Sequence, residues 1–183
     1  MKWITANINL PYPTKTPNKL LAVTDGGMIL SPDIEQKKGI LKNAVNLFHR
    51  LGYDCPKVGV MAAIEVINPK MRETLDGAEL KRLAIEENYF GSCAVEGPIS
   101  FDLAVSHESA EIKGYKSPVA GDVDIMLMPD MAAGNLTAKA LYCIGGAKMA
   151  GCVLGARVPI VLSSRGASLE EKYISLLLSA ALA

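Results

Sequence analysis

The sequence predicts an α/β fold, with a mostly parallel sheet and helices on both of its faces. Short apolar runs bounded by turn residues alternate along the chain with longer stretches whose apolar residues recur at helical spacing. Such strand–helix–strand units connect parallel strands. Of the 183 residues, 50% are apolar and 21% are charged, which suits one domain, or two small ones, with a sizeable core.

The first half of the chain contains three predicted strands and two predicted helices. The strands cover residues 20–23, 57–62 and 92–95. One helix is opened by Asp33 and ended by Gly52, and the other covers residues 76–87. Residues 1–19 are rich in proline and polar residues, so we expect an amino-terminal lead-in segment there and no core element.

The second half continues the same alternation. We expect one broken helix or two short ones over residues 101–113, and a strand over 123–128 that Pro129 ends. A helix over 132–144 and a final helix over 168–182 enclose two further strands, at 150–154 and 159–162. No break in composition marks a second domain in the middle of the chain.

Composition excludes several functional classes. Lysine plus arginine equals aspartate plus glutamate at 19 each, so nucleic acid and anionic membranes are not expected partners. No apolar run reaches the roughly 18 residues that span a bilayer, and the first residues do not resemble a signal peptide, so we expect a cytoplasmic protein. Neither histidine has a ligand at metal spacing, and both the P-loop and the G-x-G-x-x-G pattern are missing from the sequence.

Four loops that follow predicted strands are candidate binding sites, because ligands collect at the carboxyl ends of parallel strands. They comprise residues 24–27, 96–98, 129–130 and 163–166. In the first, Asp25 with Gly26 either binds a ligand through its carboxylate or only forms the turn. The sequence leaves these two interpretations open.

The last of these loops carries most of the visible chemistry. A helix amino terminus with free N–H groups favours an anion such as phosphate, and Arg165 adds a planar fork of donors. Gly166 would let the backbone approach the anion closely. The alternative is an ordinary strand-to-helix turn with a surface arginine.

Two carboxylates follow this loop. Ser168 and Glu171 have the S-x-x-E spacing of a capping box, in which Glu171 reaches back to the backbone N–H of Ser168. In the other interpretation Glu170 or Glu171 acts as a general base near the anion. The spacing favours the cap for Glu171.

Seven segments, in order, resemble the phosphate acetyl/butyryltransferase family, and the similarity looks closest to the butyryltransferase branch. They comprise residues 20–28, 33–37, 65–71, 96–102, 119–125, 129–135 and 155–165. The resemblance implies the reversible reaction of acyl-CoA with phosphate to give acyl phosphate and CoA. It implies coenzyme A as a substrate, no tightly bound cofactor and no metal. It also implies a homodimer or larger assembly and a two-domain fold like that of isocitrate and isopropylmalate dehydrogenases.

The resemblance also implies roles for individual residues. Ser164 and Arg165 match a Ser-Arg pair of the family's site, and the accompanying carboxylate falls at Glu171 or, in the butyryl branch, at Glu170. Asp25, Gly26, Arg165 and Gly166 are the expected substrate-binding residues.

Family members are longer, and the part without a counterpart here is the amino-terminal one. Residues 20–163 then correspond to the family's second domain, and residues 164–183 to a helix that returns to the first. A short-chain phosphate acyltransferase is therefore the expected function. The alternatives are a non-catalytic assembly or ligand-binding domain that keeps the fold, or one half of a split enzyme with a separate amino-terminal half.

Overall fold

The computed structural model describes residues 2–8 and 19–182, with side chains from residue 19 onward. The strands of this part are β1 (Lys2–Ile8), β2 (Lys19–Thr24), β3 (Lys57–Met61), β4 (Ala94–Ile99), β5 (Ile125–Leu127), β6 (Ala150–Val153) and β7 (Ile160–Val161). The helices are α1 (Ile34–Arg50), α2 (Arg72–Glu87), α3 (Phe101–Val105), α4 (His107–Ile112), α5 (Met131–Cys143) and α6 (Leu169–Ala180).

The described strands form one seven-stranded sheet in the order β4-β3-β5-β2-β1-β6-β7. The pairs β4–β3, β3–β5 and β5–β2 are parallel. Strand β1 is antiparallel to both β2 and β6, so β6 runs in the same direction as β2, and β7 reverses again. Five of the seven strands therefore point the same way, which confirms a mostly parallel sheet.

Helices cover both faces of the sheet, as predicted. On one face, α1, α2 and the end of α6 pack on alternate strand residues such as Ala22 and Val58. On the other face, α3, α4 and α5 pack on the intervening residues, among them Leu21 and Val23. The side chains of β2 thus alternate between two separate cores, as the pleat of a strand buried on both sides requires.

Most predicted elements are confirmed to within a few residues. Helix α1 has the Asp33 N-cap with a full capping box, and Gly52 follows its end with a φ of +89°. The predicted broken helix is two short helices, α3 and α4. Helix α2 begins at Arg72, about one turn earlier than predicted, because Thr74 and Asn68 form the turn that starts it.

The amino-terminal segment differs from the prediction. Lys2–Ile8 is a strand in the interior of the sheet, between β2 and β6, where we expected no core element. All three prolines of the segment come after Ile8 in the sequence, so none interrupts this ladder. Residues 9–18, the rest of the predicted lead-in segment, lie outside the described residues.

An ion-pair cluster joins three strands at the edge where the parallel strands begin. Lys19 contacts Asp122 and, at 2.9 Å, Asp124, and Lys57 also contacts Asp122. The buried Asp124 carboxylate accepts a 2.8 Å hydrogen bond from the backbone N–H of Lys57. These two aspartates therefore hold the start of β5 between β2 and β3.

Replacing Asp122 with asparagine should make the fold less stable at pH 7 and remove part of its acid sensitivity. Partial burial works to raise the pKa of Asp122, but hydrogen bonds from Lys19 and Lys57 lower it, and the net pKa lies below its ordinary value. The stabilisation is therefore complete above the unfolded-state pKa of about 3.9 and is lost as the pH falls through the lower folded-state pKa. Urea midpoints of wild type and Asp122→Asn should converge below about pH 3.9. Asp54→Asn, at an exposed aspartate, is the control that should show no such convergence.

Two buried threonines should respond in opposite directions to the same change. The Thr24 hydroxyl is buried and has no hydrogen-bond partner among the described residues, so Thr24→Val should stabilise the fold by about 1 kcal/mol. The Thr74 hydroxyl accepts from the Asn68 N–H at 2.9 Å and donates to the Met71 carbonyl at 2.7 Å. Thr74→Val should cost about 1–3 kcal/mol, since it leaves these groups unpaired. Urea unfolding measures the free energy of unfolding of both variants. Equal changes in the two would contradict the different hydrogen bonding of the two hydroxyls.

Candidate functional site

Three of the four loops singled out in the sequence lie at two opposite edges of the sheet. Residues 25–30 and 128–130 follow β2 and β5, so they lie at the carboxyl edge of the parallel strands. Residues 162–168 follow β7, which runs in the opposite direction, so they lie at the edge where the parallel strands begin. The structure therefore does not bring Asp25 and Gly26 together with Ser164 and Arg165.

Asp25 organises the loop at the carboxyl edge. Its buried carboxylate accepts hydrogen bonds from the backbone N–H groups of Gly27, Met28 and Ile29 at 2.9–3.1 Å. These contacts give Asp25 the turn-forming role that the sequence left open. A direct ligand-binding role for this carboxylate remains a prediction.

Helix α5 fixes the same loop from the neighbouring strand end. The Gly26 carbonyl accepts from the Asn135 side chain at 3.0 Å. A Cβ on Gly134 would lie 2.5 Å from the Asp25 carbonyl oxygen, so only glycine permits this close approach. Asp130, another predicted loop residue, is the N-cap of α5 and accepts from the Ala133 N–H at 2.8 Å.

Residues 96–98 are part of strand β4, not a loop after a strand. A Cβ on Gly97 would lie 2.7 Å from Val60 Cβ and 3.0 Å from the Gly77 carbonyl oxygen, so the strand touches its neighbours through glycine. Glu96 is buried and pairs with Lys81 of α2 at 2.6 Å. This segment therefore packs β4 against α2.

The Ser164–Arg165 loop presents a cation without a counterion. Arg165 is exposed, and no hydrogen bond or ion pair of its side chain occurs within the described part of the chain. It lies just before α6, whose amino terminus carries partial positive charge. Beside Ser163 and Ser164 there is a cavity of about 10 Å³, room for no more than about one water. An anion would therefore meet Arg165 at an open surface.

Gly166 is not required sterically by the fold. A Cβ at this position would meet nothing within 4 Å, and its φ lies outside the left-handed region. Contacts among the described residues therefore neither require a glycine here nor prevent an anion from approaching the backbone. The predicted close approach to an anion stays a prediction.

Glu171 forms the predicted capping box. One of its oxygens accepts from the backbone N–H of Ser168 at 2.7 Å, and the Ser168 hydroxyl accepts from the Glu171 N–H at 3.2 Å. The side chain is buried, and the Tyr142 hydroxyl lies 3.4 Å from the same oxygen. The Glu171 charge raises the pKa of Tyr142 above its ordinary value, because it disfavours a second negative charge beside the carboxylate.

Glu170 differs from its neighbour in both exposure and partner. It is exposed and forms an ion pair with Lys148, a residue of the loop before β6. Lys148 and Tyr142, the neighbours of the two carboxylates, were not predicted from the sequence. Both lie more than 20 positions away along the chain, so no local spacing could indicate them.

The loop and the first turn of α6 thus present an exposed guanidinium, a partly exposed hydroxyl and an exposed carboxylate. Arg165 can hold two phosphate oxygens through its planar fork, and Ser164 can donate its hydroxyl. Glu170 can accept a proton at the solvent-exposed edge, whereas Glu171 is committed to the helix cap.

The chain belongs to a family of acyl-group transferases. Residues 8–180 match the model of the family described as "Phosphate acetyl/butaryl transferase", so the chain is a member of that family. This agrees with the resemblance found in the sequence. Phosphate acetyltransferase of Thermotoga maritima is 43% identical over 163 residues, covering 89% of this chain and 55% of that protein. Phosphate butyryltransferase of Clostridium acetobutylicum is 38% identical over 172 residues, covering 94% and 57%.

A solved structure matches the whole described fold. The branched-chain phosphotransacylase of Enterococcus faecalis superposes with a TM-score of 0.86 at 32% identity, covering 99% of this chain and 63% of that one. The chain thus spans about half the length of the curated relatives it matches. Relatives from both branches match at similar identity, so the expected kinship with the butyryl branch stays a prediction.

No helix in the described part of the chain is long and apolar enough to cross a membrane. Among the same residues, no group of three or more histidine, cysteine, aspartate or glutamate side chains is arranged to hold a metal ion.

Proposed function

We propose that this chain supplies the Ser164–Arg165 surface of a phosphate acyltransferase, which converts acyl-CoA and phosphate into acyl phosphate and CoA. Family membership over residues 8–180 carries this proposal. The exposed Arg165, without a counterion among the described side chains, supports its placement at the phosphate. Acyl-CoA and inorganic phosphate are then substrates, and coenzyme A is not a resident cofactor.

The chemistry assigns separate roles to the residues of this surface. In the direction of acyl-CoA synthesis, the CoA thiol loses its proton and the sulfur attacks the acyl carbonyl carbon. The tetrahedral intermediate then expels phosphate, which leaves with the bond electrons. Arg165 would bind the phosphoryl group, and Ser164 would donate to the developing oxyanion. A free thiol has a pKa of about 8.5, so a base is needed at neutral pH.

We assign the proton acceptor to Glu170 and a positioning role to Glu171. Glu170 is exposed in the first turn of α6, the helix that Arg165 precedes, and its present partner Lys148 is an exposed surface cation, so the pair is weak. Glu171 is buried and holds the first turn of α6 through Ser168. Asp25 and Gly26 lie at the other edge of the sheet, so any contact they make with substrate is with a part distant from the reacting carbonyl.

The whole protein is proposed to have the two-domain, dehydrogenase-like arrangement, with residues 20–163 as the second domain. Helix α6 packs on β6 here, where the Ser175 hydroxyl accepts from the Gly151 N–H at 3.0 Å. The remaining family sequence would cover the open Arg165 surface and form a cleft. We further propose a cytoplasmic location and a homodimer or larger assembly.

A second candidate is a non-catalytic assembly domain, and one observation favours it. Leu169, Tyr173, Leu176 and Leu177 are 85%, 59%, 56% and 51% exposed and share one face of α6. An exposed apolar stripe of this kind marks a contact with another polypeptide. In a split enzyme the same stripe would bind a separate amino-terminal half.

A thioester assay separates these candidates. The purified chain is incubated with acetyl-CoA or butyryl-CoA and phosphate, alone and with the separately produced amino-terminal part of the Thermotoga maritima relative. If the chain alone releases free CoA thiol and forms a matching amount of acyl phosphate, it is an enzyme by itself. If these products form only when the amino-terminal part is added, the chain is one half of a split enzyme. Binding of the two polypeptides without turnover would replace the proposal by the assembly domain.

A further inference from the structure

Two arginines line a cavity away from the Arg165 surface. The cavity has a volume of about 240 Å³ and lies between the second half of α1 and the turn that joins β6 to β7. Arg50 of α1 and Arg157 of the turn both line it. The lining side chains include no carboxylate, although acidic and basic residues are equally numerous in the sequence.

The structure holds one of these guanidinium groups in place and leaves the other free. Nη1 of Arg50 donates to the carbonyl oxygen of Leu182, which orients the group and leaves most of its five N–H donors available. Arg157 is exposed, and no ion pair of its side chain occurs within residues 19–182. Arg50 and Arg157 both carry positive charge and no carboxylate side chain lines the cavity, so a bound anion would reduce the repulsion between them.

Uncharged groups complete the wall opposite the turn. Asn43 and Asn46 of α1 line the cavity and can donate through their side-chain amides. Gly155 in the turn has a φ of +89°, and a Cβ there would lie 2.9 Å from Asn43 Nδ2. Glycine therefore lets the turn sit close to α1, which fixes the distance across the cavity.

We propose that this cavity binds a phosphate group, held by the guanidinium groups of Arg50 and Arg157. Arginine forks match phosphate oxygens two at a time, which a single lysine cannot do. The volume lies below the roughly 300–1,000 Å³ of pockets that enclose drug-sized ligands, so the cavity takes the phosphate and not a whole nucleotide. This site is independent of the proposed function, because it shares no residue with the Arg165 surface.

Amide spectra of the ¹⁵N-labelled chain test the proposal. Titration with orthophosphate, at constant ionic strength against chloride, should shift the amide signals of Gly155 and Ala156. In Arg157→Ala the affinity read from these shifts should fall at least tenfold, and Arg157→Lys should be intermediate. In the matched control, Arg165→Ala, phosphate should shift the Gly155 and Ala156 signals as it does in the wild type, even if the substitution abolishes acyl transfer. The proposed site would be overturned if phosphate did not shift the Gly155 and Ala156 signals of the wild type. It would also be overturned if phosphate bound to Arg157→Ala with the same affinity as to the wild type.

The phosphate could be free or carried by a nucleotide, and the same titration distinguishes the two sources. Adenosine 3′,5′-bisphosphate is the second probe. Binding of the bisphosphate at least tenfold tighter than orthophosphate supports a site for a nucleotide-borne phosphate, and equal affinity supports one for the free ion. Since Arg157 lies in an exposed turn, unchanged signals elsewhere in the spectrum confirm that each variant is folded.

Discussion

Replacing Arg165 with alanine should lower kcat/KM for phosphate about 100- to 1,000-fold, the loss typical when one preorganised electrostatic group is removed from a transition state. The exposed guanidinium has no partner among the described residues, so its removal breaks no internal contact of the fold. The effect should therefore appear in turnover and not in stability. It is measured in whichever arm of the thioester assay is active, over a range of phosphate concentrations.

Two further variants sharpen the interpretation of this result. Arg165→Lys keeps the charge but loses the planar fork, so activity should be intermediate. Lys172→Ala removes an exposed cation of α6 and should change the rate by less than about twofold, since distant surface charges are screened by salt. Normal phosphate kinetics in Arg165→Ala would contradict the assigned role.

Replacing Asp76 with asparagine should destabilise the fold by about 3–5 kcal/mol. Lys37 of α1 and Asp76 of α2 form an ion pair at 2.7 Å, and their side chains are only 4% and 10% exposed. The change leaves the buried Lys37 ammonium without its counterion, and the cost of an unpaired buried charge is far greater than that of a lost surface pair. The free energy of unfolding in urea is the measurement.

The chain provides a matched control one helical position away. Lys38 pairs with Glu35 at 2.7 Å, but Glu35 is 72% exposed, so Glu35→Gln should cost at most about 0.5 kcal/mol. Replacing both buried partners, as in Lys37→Met with Asp76→Leu, should recover most of the lost stability. Equal losses in Asp76→Asn and Glu35→Gln would show that burial does not determine the strength of the first pair.

Local patterns identified most helices, most strands, Asp33 as the start of α1 and the Ser168–Glu171 capping box. The structure confirms both helix starts. Strand β4 was placed too early because Glu96, Gly97 and Pro98 read as a loop. Its glycine is explained by contacts with Val60 and Gly77, which are remote in sequence.

The candidate site was predictable only in part. The Ser164–Arg165 loop is followed by a capped helix, a pattern of neighbouring residues. The structure has this helix, with its cap at Ser168. Its separation from Asp25 was not predictable, because it depends on β7 running opposite to the parallel strands. A strand's apolar pattern is the same in either direction, so the sequence alone could not decide which edge the loop occupies.

The sequence by itself thus determined the element types, their caps and the family, since these depend on residue identity over short distances. Tertiary structure alone decided the strand order, the edge at which each loop lies, and the pairing of Lys37 with Asp76, Lys148 with Glu170 and Tyr142 with Glu171. The physical reason is that each such pair joins residues about 20 or more positions apart. Only packing of whole elements brings such groups within hydrogen-bond distance.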